Sequence, residues 1–327
     1  MNKILGLVFS LCAFSINAQV ITGAGATFPE PVYTKWASDY NKETGVKVNY
    51  GAIGSSGGIK QMENDTVDFG ATDDAVTQSD LTSKQWHQFP AVIGGVVLVV
   101  NLKGFKAGEI VLDGTTTANI FEGKITNWND PAIKKLNPKL NLPDQAITTI
   151  VRSDGSGTTA VFTNYLSQVS KSFKDSVGEG KSVSWKNKNL AAGKGNAGVG
   201  AMVQNLSGSI GYVEYAFAKQ GKMTYTAMLN KNKVVQPDDT TFKQAAESAN
   251  WQVPGMAVNL NNKDGWPITA ATFILVKKEG GKNTQSVLKF FDWAFNRGDA
   301  SATNLDYVPL PEKVKVQIRA DWVKGVK

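Results

Sequence analysis

The stretch from Pro90 to Leu102, PAVIGGVVLVVNL, is an almost uninterrupted run of apolar residues. A run of this length is typical of a strand that is buried on both faces of a sheet. A second such run, WPITAATFILVKK, lies much later in the chain, from Trp266 to Lys278. Between the two runs the sequence is more polar and contains further helix-sized segments. We therefore predict that the chain leaves one domain through the first strand and returns to it through the second.

Helix-like and strand-like segments alternate on both sides of these runs. After Glu30, for example, Val32, Trp36 and Tyr40 recur every four residues, and Gly45 provides a helix stop. Strands that alternate with helices indicate α/β layers with mainly parallel sheets. The chain has 327 residues, which is enough for about two such domains.

These patterns predict a two-lobed α/β fold with mixed, mainly parallel sheets flanked by helices. Lobe 1 is expected to be discontinuous, with residues 19–97 and 268–327, and lobe 2 to be an insertion of residues 98–267. The two strands that join the lobes would form a hinge. Lobes connected in this way can close around a ligand in the cleft between them.

The first 18 residues have the pattern of a secretory signal peptide. Their apolar stretch, residues 4–14, is too short to span a bilayer, and Ala18 is a small residue at the expected cleavage site. A retained membrane anchor is the alternative. Cys12, the only cysteine, would leave with the signal. A cysteine-free exported chain that begins at Gln19 suits the periplasm of a Gram-negative cell.

The chain is basic, with a formal net charge of +7. Its lysines and arginines are dispersed, however, and no run is longer than pairs such as Lys134-Lys135 and Lys277-Lys278. A nucleic-acid-binding protein would be expected to gather its basic residues in a patch or stripe. We therefore predict a solvated basic surface and no nucleic-acid partner.

Three loops share one design, in which a predicted strand runs through small residues into a predicted helix. They are GAGATFPEPV from Gly23, GAIGSSGGIKQM from Gly51 and RSDGSGTTAVF from Arg152. Each brings hydroxyl groups and free backbone N–H groups to a helix N-terminus, where the helix dipole also favours an anion. One such loop is usually an ordinary cap or turn. Ligands of open α/β sheets lie beyond the carboxyl ends of strands, however, and three loops at such ends predict an anion site.

Charged residues in and near these loops define the anion more closely. Arg152 carries a planar donor fork that matches oxyanions, and Asp154 can fix its orientation. Asp73, in the segment VDFGATDD, would repel an anion unless that anion has a proton to donate. A protonated phosphate has one and sulfate at neutral pH does not, so Asp73 would reject sulfate. By themselves, these residues are also compatible with a surface ion pair and a solvated turn or helix cap.

The segments that carry these features closely resemble the periplasmic phosphate-binding proteins of high-affinity phosphate ABC transporters. The matching segments include GAGATFP, VNYGAIGSSGG, VDFGATDD, FPAVIGGVVLVVN, RSDGSGTTAVFTNYL, GKGNAGV, GSIGYVEYAFAKQ, WPITAATFIL and VLKFFDWAF. They extend over almost the whole chain after the signal. The resemblance implies the type II periplasmic-binding-protein fold, in which two α/β lobes are joined by a two-strand hinge and enclose the ligand.

The resemblance also implies a ligand and partners. The ligand is inorganic phosphate, as hydrogen phosphate or dihydrogen phosphate, and a monomer passes it to an inner-membrane ABC permease. Hydroxyl and N–H groups, an arginine steadied by an aspartate, and a carboxylate that accepts the phosphate proton form the site. The implied phosphate-binding residues are Thr27, Phe28, Ser55, Asp73, Arg152, Asp154, Ser156, Gly157 and Thr158. Relatives that bind phosphonate, or that act as signals or adhesins, are alternatives within this resemblance.

An enzyme is the main alternative to a receptor, namely a serine-dependent phosphate-ester hydrolase with Ser156 or Ser55 as the nucleophile. Such a serine needs a base, and we interpret the segment of the only histidine, His87, as surface or helix. Metal-binding motifs do not occur, and GKGNAG has Gly195 where a nucleotide-binding loop needs Ser or Thr. We therefore expect no catalytic residue, metal or cofactor. A polyanion binder, the third possibility, would depend steeply on salt.

Overall fold

The computed structural model describes residues 19–327, and the predicted signal peptide with Cys12 lies outside the described residues. The strands are β1 (Val20–Gly25), β2 (Lys47–Ala52), β3 (Phe69–Thr72), β4 (Trp86–Val100), β5 (Val111–Asp113), β6 (Thr148–Arg152), β7 (Leu190–Gly193), β8 (Ser209–Glu214), β9 (Thr224–Tyr225), β10 (Ala227–Asn230), β11 (Lys233–Val235) and β12 (Thr269–Lys277). The helices are α1 (Glu30–Thr44), α2 (Ser55–Glu63), α3 (Gln78–Ser83), α4 (Gly114–Phe121), α5 (Pro131–Leu136), α6 (Gly157–Val169), α7 (Lys171–Ser176), α8 (Gly195–Asn205), α9 (Tyr215–Gln220), α10 (Asp239–Glu247), α11 (Thr284–Arg297), α12 (Asp299–Thr303) and α13 (Glu312–Gly325), with a 3-10 helix at Pro254–Met256.

The longest strand, β4, organises the molecule. Its 15 residues run through the middle of a nine-stranded sheet with the order β2-β1-β3-β12-β4-β8-β6-β7, and β9 also pairs with β4. As far as Gly95, β4 pairs with β12; from Val96 onwards it pairs with β8 and, near its end, with β9. One strand is therefore shared by the sheets of both lobes.

The sheet is mixed, as predicted. Away from its centre the pairing is parallel, between β1 and its neighbours β2 and β3, and between β6 and its neighbours β7 and β8. At the centre, β12 is antiparallel to β3 and β4, and β8 is antiparallel to β4. The antiparallel pairs thus lie at the junction of the two lobes, where the chain crosses from one to the other. The predicted two-lobed α/β fold is confirmed.

Two of the longer helices, α1 and α13, begin or end for local reasons. Helix α1 follows Pro29, and it ends at Gly45, whose φ of 74° lies in the left-handed region that favours glycine. It buries Val32 and Trp36, two of the residues that recur every four positions. Helix α13 begins directly after Pro311, which cannot donate the hydrogen bond that a longer helix would need.

Aromatic side chains fill the core of each lobe. On the β1–β3 side of the large sheet, Phe291 of α11 contacts Tyr33 of α1 and Phe69 of β3, with ring centroids 5.8 and 5.4 Å away. On the β6–β8 side, Phe162 of α6 stacks on Tyr212 of β8, with centroids 4.4 Å apart. These contacts anchor helices α1 and α6, so the loops that precede them are held in place by packed cores.

The prediction for His87 is wrong. It lies in strand β4, opposite Val276 of β12, and it is partly buried. The strand extends back to Trp86 because β12 continues to Lys277 and offers it hydrogen-bonding partners. Burial lowers the pKa of the His87 imidazole, although Asp321 acts to raise it.

A second, three-stranded sheet was not predicted. It has the order β11-β10-β5, and a tight turn at Lys231 and Asn232, with φ of 47° and 65°, joins its antiparallel pair. In the part of the chain that the structure describes, no helix is both long enough and apolar enough to cross a membrane.

Candidate functional site

The three predicted loops lie at the carboxyl ends of strands and lead into helices. They connect β1 to α1, β2 to α2 and β6 to α6. Within residues 19–327, α1 and α2 begin without a side-chain cap, whereas Ser156 caps α6 by accepting the Thr159 N–H at 3.0 Å. No side-chain cap therefore competes with an anion for the first-turn N–H groups of α1 and α2. Two of these groups already have backbone partners, since Glu30 donates to the Thr27 carbonyl at 3.3 Å and Ser56 to the Gly155 carbonyl at 3.1 Å.

The second and third loops touch each other across the cleft. Ser55 Oγ accepts the backbone N–H of Asp73 at 3.3 Å and that of Gly157 at 3.0 Å. The N–H of Ser56 donates to the carbonyl of Gly155 at 3.1 Å. A Cβ added at Gly157 would overlap Ser55 Oγ and would lie 2.7 Å from the Asp73 nitrogen, so only glycine permits this approach. The lobes are thus in contact at this point.

Arg152 is buried and is held by two neighbours. Its Nε donates to Oδ1 of Asp154 at 2.8 Å, and its Nη2 donates to Oδ2 at 2.6 Å. Its Nη1 donates to Oγ1 of Thr158 at 3.3 Å. Burial acts to raise the pKa of Asp154, but the hydrogen bonds and charge of Arg152 outweigh it and lower that pKa. The pair is therefore ionised at neutral pH, and the fork of Arg152 is held in one orientation.

Thr27, in the first loop, contacts a residue that the sequence analysis did not assign to the site. Its Oγ1 accepts the backbone N–H of Asn196 at 3.2 Å and the side-chain Nδ2 of Asn196 at 2.8 Å. The same Nδ2 lies 3.4 Å from Oγ1 of Thr158. Asn196 belongs to the segment GKGNAG, whose glycines at a strand-to-helix turn were the available sequence signal.

Three hydroxyl groups of the site are set to donate. A hydroxyl has two lone pairs and one proton. Thr27, Ser55 and Thr158 each accept two hydrogen bonds from N–H groups of the protein. Their lone pairs are occupied, so the proton is what each hydroxyl can offer. A ligand in the cleft would therefore meet these side chains as donors.

Asp73, directly after β3, offers hydrogen-bond acceptors rather than donors to the cleft. Its side chain is buried, and neither carboxylate oxygen has a hydrogen-bond partner among the described residues. Burial raises the pKa of Asp73 to about 7, against the opposing effects of the nearby Thr272 hydroxyl, which itself donates to the Thr72 carbonyl at 3.5 Å, and of the Arg152 charge. A buried acceptor without a partner costs about 1–3 kcal/mol, and more when it is charged. Asp73 is therefore suited to a ligand that brings a proton.

The first loop is also anchored from the hinge side. The Phe28 carbonyl accepts the hydroxyl proton of Tyr307 at 2.6 Å, and Tyr307 Oη lies 3.0 Å from Oε2 of Glu214. Burial raises the pKa of Glu214 well above its ordinary value. The ring of Phe28 leaves no room for a side chain at Gly94 of β4, because a Cβ there would lie 2.8 Å from it. The backbone of Phe28 is thereby held at the cleft.

A cavity of about 480 Å³ adjoins the site. Asp73, Asp74 and Glu179 are among its lining residues, so its walls are partly acidic. Asp74 forms an ion pair with Lys181, which comes from the other side of the cleft. Within residues 19–327, no cluster of three His, Cys, Asp or Glu residues could hold a metal ion.

The structure brings the predicted site residues together around one part of the cleft. Direct hydrogen bonds or adjacency in a site loop connect Thr27, Phe28, Ser55, Asp73, Arg152, Asp154, Ser156, Gly157 and Thr158, with Asn196 as an added member. Their roles toward a ligand stay predictions. The arrangement combines many donors with one carboxylate and is suited to a small oxyanion that carries a proton.

Comparison with known proteins places this chain in a family. The sequence matches the PBP superfamily domain over residues 14–297. It is 52% identical to the phosphate-binding protein PstS of Pasteurella multocida over 331 residues, which cover 99% of this chain and 96% of that protein. It is also 52% identical to the phosphate-binding protein PstS of Haemophilus influenzae over 318 residues, which cover 95% of each.

A solved structure supports the fold. It is that of PfluDING, a high affinity periplasmic phosphate-binding protein bound with phosphate. The two structures agree with a TM-score of 0.75 at 20% sequence identity, over 93% of this chain and 94% of that one. At this identity the likeness concerns the fold. The family follows from the superfamily match and the two close relatives: this chain belongs to the PBP superfamily and, within it, to the family of the PstS phosphate-binding proteins.

Proposed function

We propose that this protein binds inorganic phosphate reversibly in the periplasm and delivers it to an ABC phosphate permease in the inner membrane. Two relatives at 52% identity, matched over nearly their full length, are named phosphate-binding proteins. The observation that carries the proposal is the site itself, in which donors surround Arg152 and a buried acceptor, Asp73, has no partner among the described residues. Neither a metal nor a cofactor is part of the proposal.

Each proposed ligand group has a chemical role. Arg152 pairs with the phosphate charge, Asp154 orients Arg152, and Asp73 accepts the phosphate proton. The phosphate oxygens receive hydrogen bonds from hydroxyl groups and backbone N–H groups. These donors are the hydroxyls of Thr27, Ser55, Ser156 and Thr158 and the N–H groups of Phe28 and Gly157. The Gly157 N–H, which donates to Ser55 in the structure, would exchange that partner for phosphate. Micromolar affinity corresponds to about 8 kcal/mol. A dozen charge-assisted hydrogen bonds would exceed this value, and desolvation and lobe closure offset the excess.

Asp73 would supply the selectivity. A phosphate that keeps one proton can donate to the carboxylate, whereas sulfate would place an oxygen lone pair against it. Because Asp73 is buried and lacks a partner among residues 19–327, water cannot relieve that repulsion. Arsenate, which keeps a proton at neutral pH as phosphate does, should be accepted.

Binding without reaction fits the site better than hydrolysis does. A nucleophilic serine must pass its proton to a base. Ser156 Oγ caps α6, and Ser55 Oγ accepts two backbone N–H groups, so both oxygens serve the local structure. The only histidine, His87, lies in β4 beside β12 rather than in a site loop. The hydrolase that uses Ser156 or Ser55 is therefore the weaker candidate.

The lobes would serve capture and release. We propose lobe 1 as residues 19–97 and 268–327 and lobe 2 as residues 98–267. The change of pairing in β4 between Gly95 and Val96 supports a boundary near there. Closure of the lobes would let the permease recognise the loaded protein, which we propose to be a monomer that is exported by the signal in residues 1–18.

Calorimetry on the purified chain without its signal tests this function. We expect tight, saturable binding of phosphate and of arsenate, and no measurable binding of sulfate at pH 8. Asp73→Asn should weaken phosphate binding and admit sulfate, because the amide can donate to a bare oxyanion. The matched control is Asp74→Asn, which changes the neighbouring, half-exposed carboxylate and should keep the selectivity of the wild type.

Two results would contradict the proposal. Equal affinity of the wild type for sulfate and phosphate would remove Asp73 from its role. Turnover of a phosphomonoester that is lost in Ser156→Ala or Ser55→Ala would establish the hydrolase instead.

A further inference from the structure

Asn196 is a buried polar residue that touches the site from both sides of the cleft. It lies in the first turn of α8 and is completely buried. We infer that Asn196 is a positioning residue of the phosphate site, which aims the hydroxyl protons of Thr27 and Thr158 at the ligand and ties the two lobes together. This inference rests on the proposed phosphate site.

The surroundings of Asn196 fix the orientation of its amide. Its Oδ1 accepts the backbone N–H of Glu214 at 2.8 Å. A backbone N–H can only donate, so reversing the amide would place two donors against each other. The Nδ2 group must therefore face the threonines, and it lies 2.8 Å from Thr27 Oγ1 and 3.4 Å from Thr158 Oγ1.

This orientation decides what the two threonine hydroxyls can do. Thr27 Oγ1 accepts both the backbone and the side-chain N–H of Asn196, and Thr158 Oγ1 accepts from Asn196 and Arg152. Because their lone pairs face these donors, the hydroxyl protons point elsewhere. Without the Nδ2 group, either hydroxyl could rotate, and phosphate would lose donors that are already oriented.

Helix α8 holds the arginine side of the site as well. The N–H of Gly195 donates to Oδ1 of Asp154 at 3.0 Å, and Asp154 orients Arg152. The positive end of the α8 dipole therefore faces the Asp154 carboxylate. The segment GKGNAG thus supports residues around the ligand rather than cradling a nucleotide phosphate.

The contact between Asn196 and Thr27 joins residues that are 169 positions apart in the chain. Thr27 lies in proposed lobe 1 and Asn196 in proposed lobe 2, so the hydrogen bond exists only when the lobes meet. Closure would therefore set the Thr27 hydroxyl at the same moment as it encloses phosphate. Loss of the bond should act mainly on the rate at which phosphate leaves.

Asn196→Asp is the sharpest variant, because it keeps the shape of the side chain and turns its donor into an acceptor. Thr27 and Thr158 would then donate to the new carboxylate instead of to phosphate. We expect phosphate affinity to fall about tenfold or more, with faster dissociation, in calorimetry and stopped-flow measurements. Asn205→Asp, an exposed position at the end of the same helix, is the matched control and should bind phosphate as the wild type does.

A double-mutant cycle separates positioning from general destabilisation. If Asn196 acts through Thr27, Asn196→Ala should weaken binding much less in a Thr27→Val background than in the wild type. Additive effects of the two changes would overturn the inference. If Asn196→Asp does not fold, Asn196→Ser in the same cycle provides the measurement. A wild type that fails to bind phosphate refutes the proposed function, whereas a wild type that binds with Asn196 variants of equal affinity refutes only this inference.

Discussion

The two halves of the site differ in how complete each is by itself. In proposed lobe 2, Asp154 holds Arg152 through two hydrogen bonds, and Ser156 caps α6. In proposed lobe 1, Asp73 has no hydrogen-bond partner among the described residues, and Thr27 receives its donors from Asn196 on the opposite side of the cleft. We therefore expect the half in proposed lobe 2 to be preformed, and the half in proposed lobe 1 to be completed by the other lobe and the ligand.

We expect this difference to give the two halves different roles in binding. We expect the Arg152 guanidinium, which Asp154 holds through Nε and Nη2, to be ready for an oxyanion before the lobes close, because its orientation does not depend on the other lobe. Discrimination would then fall to the half in proposed lobe 1, where we expect the buried Asp73 carboxylate to accept only an anion that carries a proton. On this proposal attraction and selection reside on opposite walls of one cleft, and variants on each wall should bind phosphate abnormally in different ways.

The largest loss of phosphate affinity should come from removing Arg152. Arg152→Ala removes the buried cation and leaves the Asp154 carboxylate without its partner. We expect phosphate affinity to fall by about 3–5 kcal/mol, which is more than a hundredfold, as measured by calorimetry. Arg297→Ala removes an exposed arginine that pairs with Glu43 on the surface and should have no effect on binding. Unchanged affinity in Arg152→Ala would take the arginine out of the site.

The buried Asp73 carboxyl should make the free energy of unfolding depend on pH. Burial raises the pKa of Asp73 to about 7 in the folded protein, well above the value of about 3.9 for an unfolded chain. Its contribution to stability is therefore full below pH 4 and is lost as the pH rises through about 7. We expect the phosphate-free wild type to lose on the order of 2–4 kcal/mol relative to Asp73→Asn between pH 5 and pH 8.5, in denaturant titrations.

The comparison with Asp73→Asn also serves as the control for this pH effect. His87 and the other titrating groups are common to both proteins, so their contributions cancel in the difference. Parallel pH profiles would show that the Asp73 carboxyl is not held in the environment that the structure describes.

The smallest effect should come from the rim of the cleft, where the halves are joined by exposed charges. Lys181→Ala removes the ion pair with Asp74, and both partners are partly exposed. We expect a loss of less than about 1 kcal/mol, seen as slightly faster phosphate release that is further masked by salt. Lys171→Ala, which breaks a pair with Asp175 inside lobe 2, should leave the release rate unchanged. A large effect of Lys181→Ala would mean that the rim, and not the site, holds the lobes closed.

Most residues of the candidate site could be predicted from the sequence, because the residues of each loop are close together in the chain. Each loop contains its hydroxyls, its glycines and the start of its helix within about ten residues, and Arg152 stands two positions from Asp154. The long apolar runs likewise predicted the strands at the centre of the fold. These features depend on residues that are close together in the chain, so the amino-acid sequence alone is enough to predict them.

The missed features depend on contacts between distant segments. Asn196 has no local sign of its role, because its partners Thr27 and Glu214 come from other parts of the chain. His87 was misplaced because the length of β4 is set by its pairing with β12 rather than by its own polar residues. The small sheet escaped prediction for a similar reason, since β5 pairs with β10 from a remote part of the chain.

The sharing of β4 between both lobes has a consequence for how the molecule comes apart. Its 15 residues span about 50 Å, and their hydrogen bonds belong to both halves of the nine-stranded sheet. If the strands on one side of β4 unfolded, the strands on the other side would be left with an unpaired sheet edge. Heating should therefore unfold the protein in a single calorimetric transition. The backbone amide hydrogens of β4 should be the last to exchange with solvent.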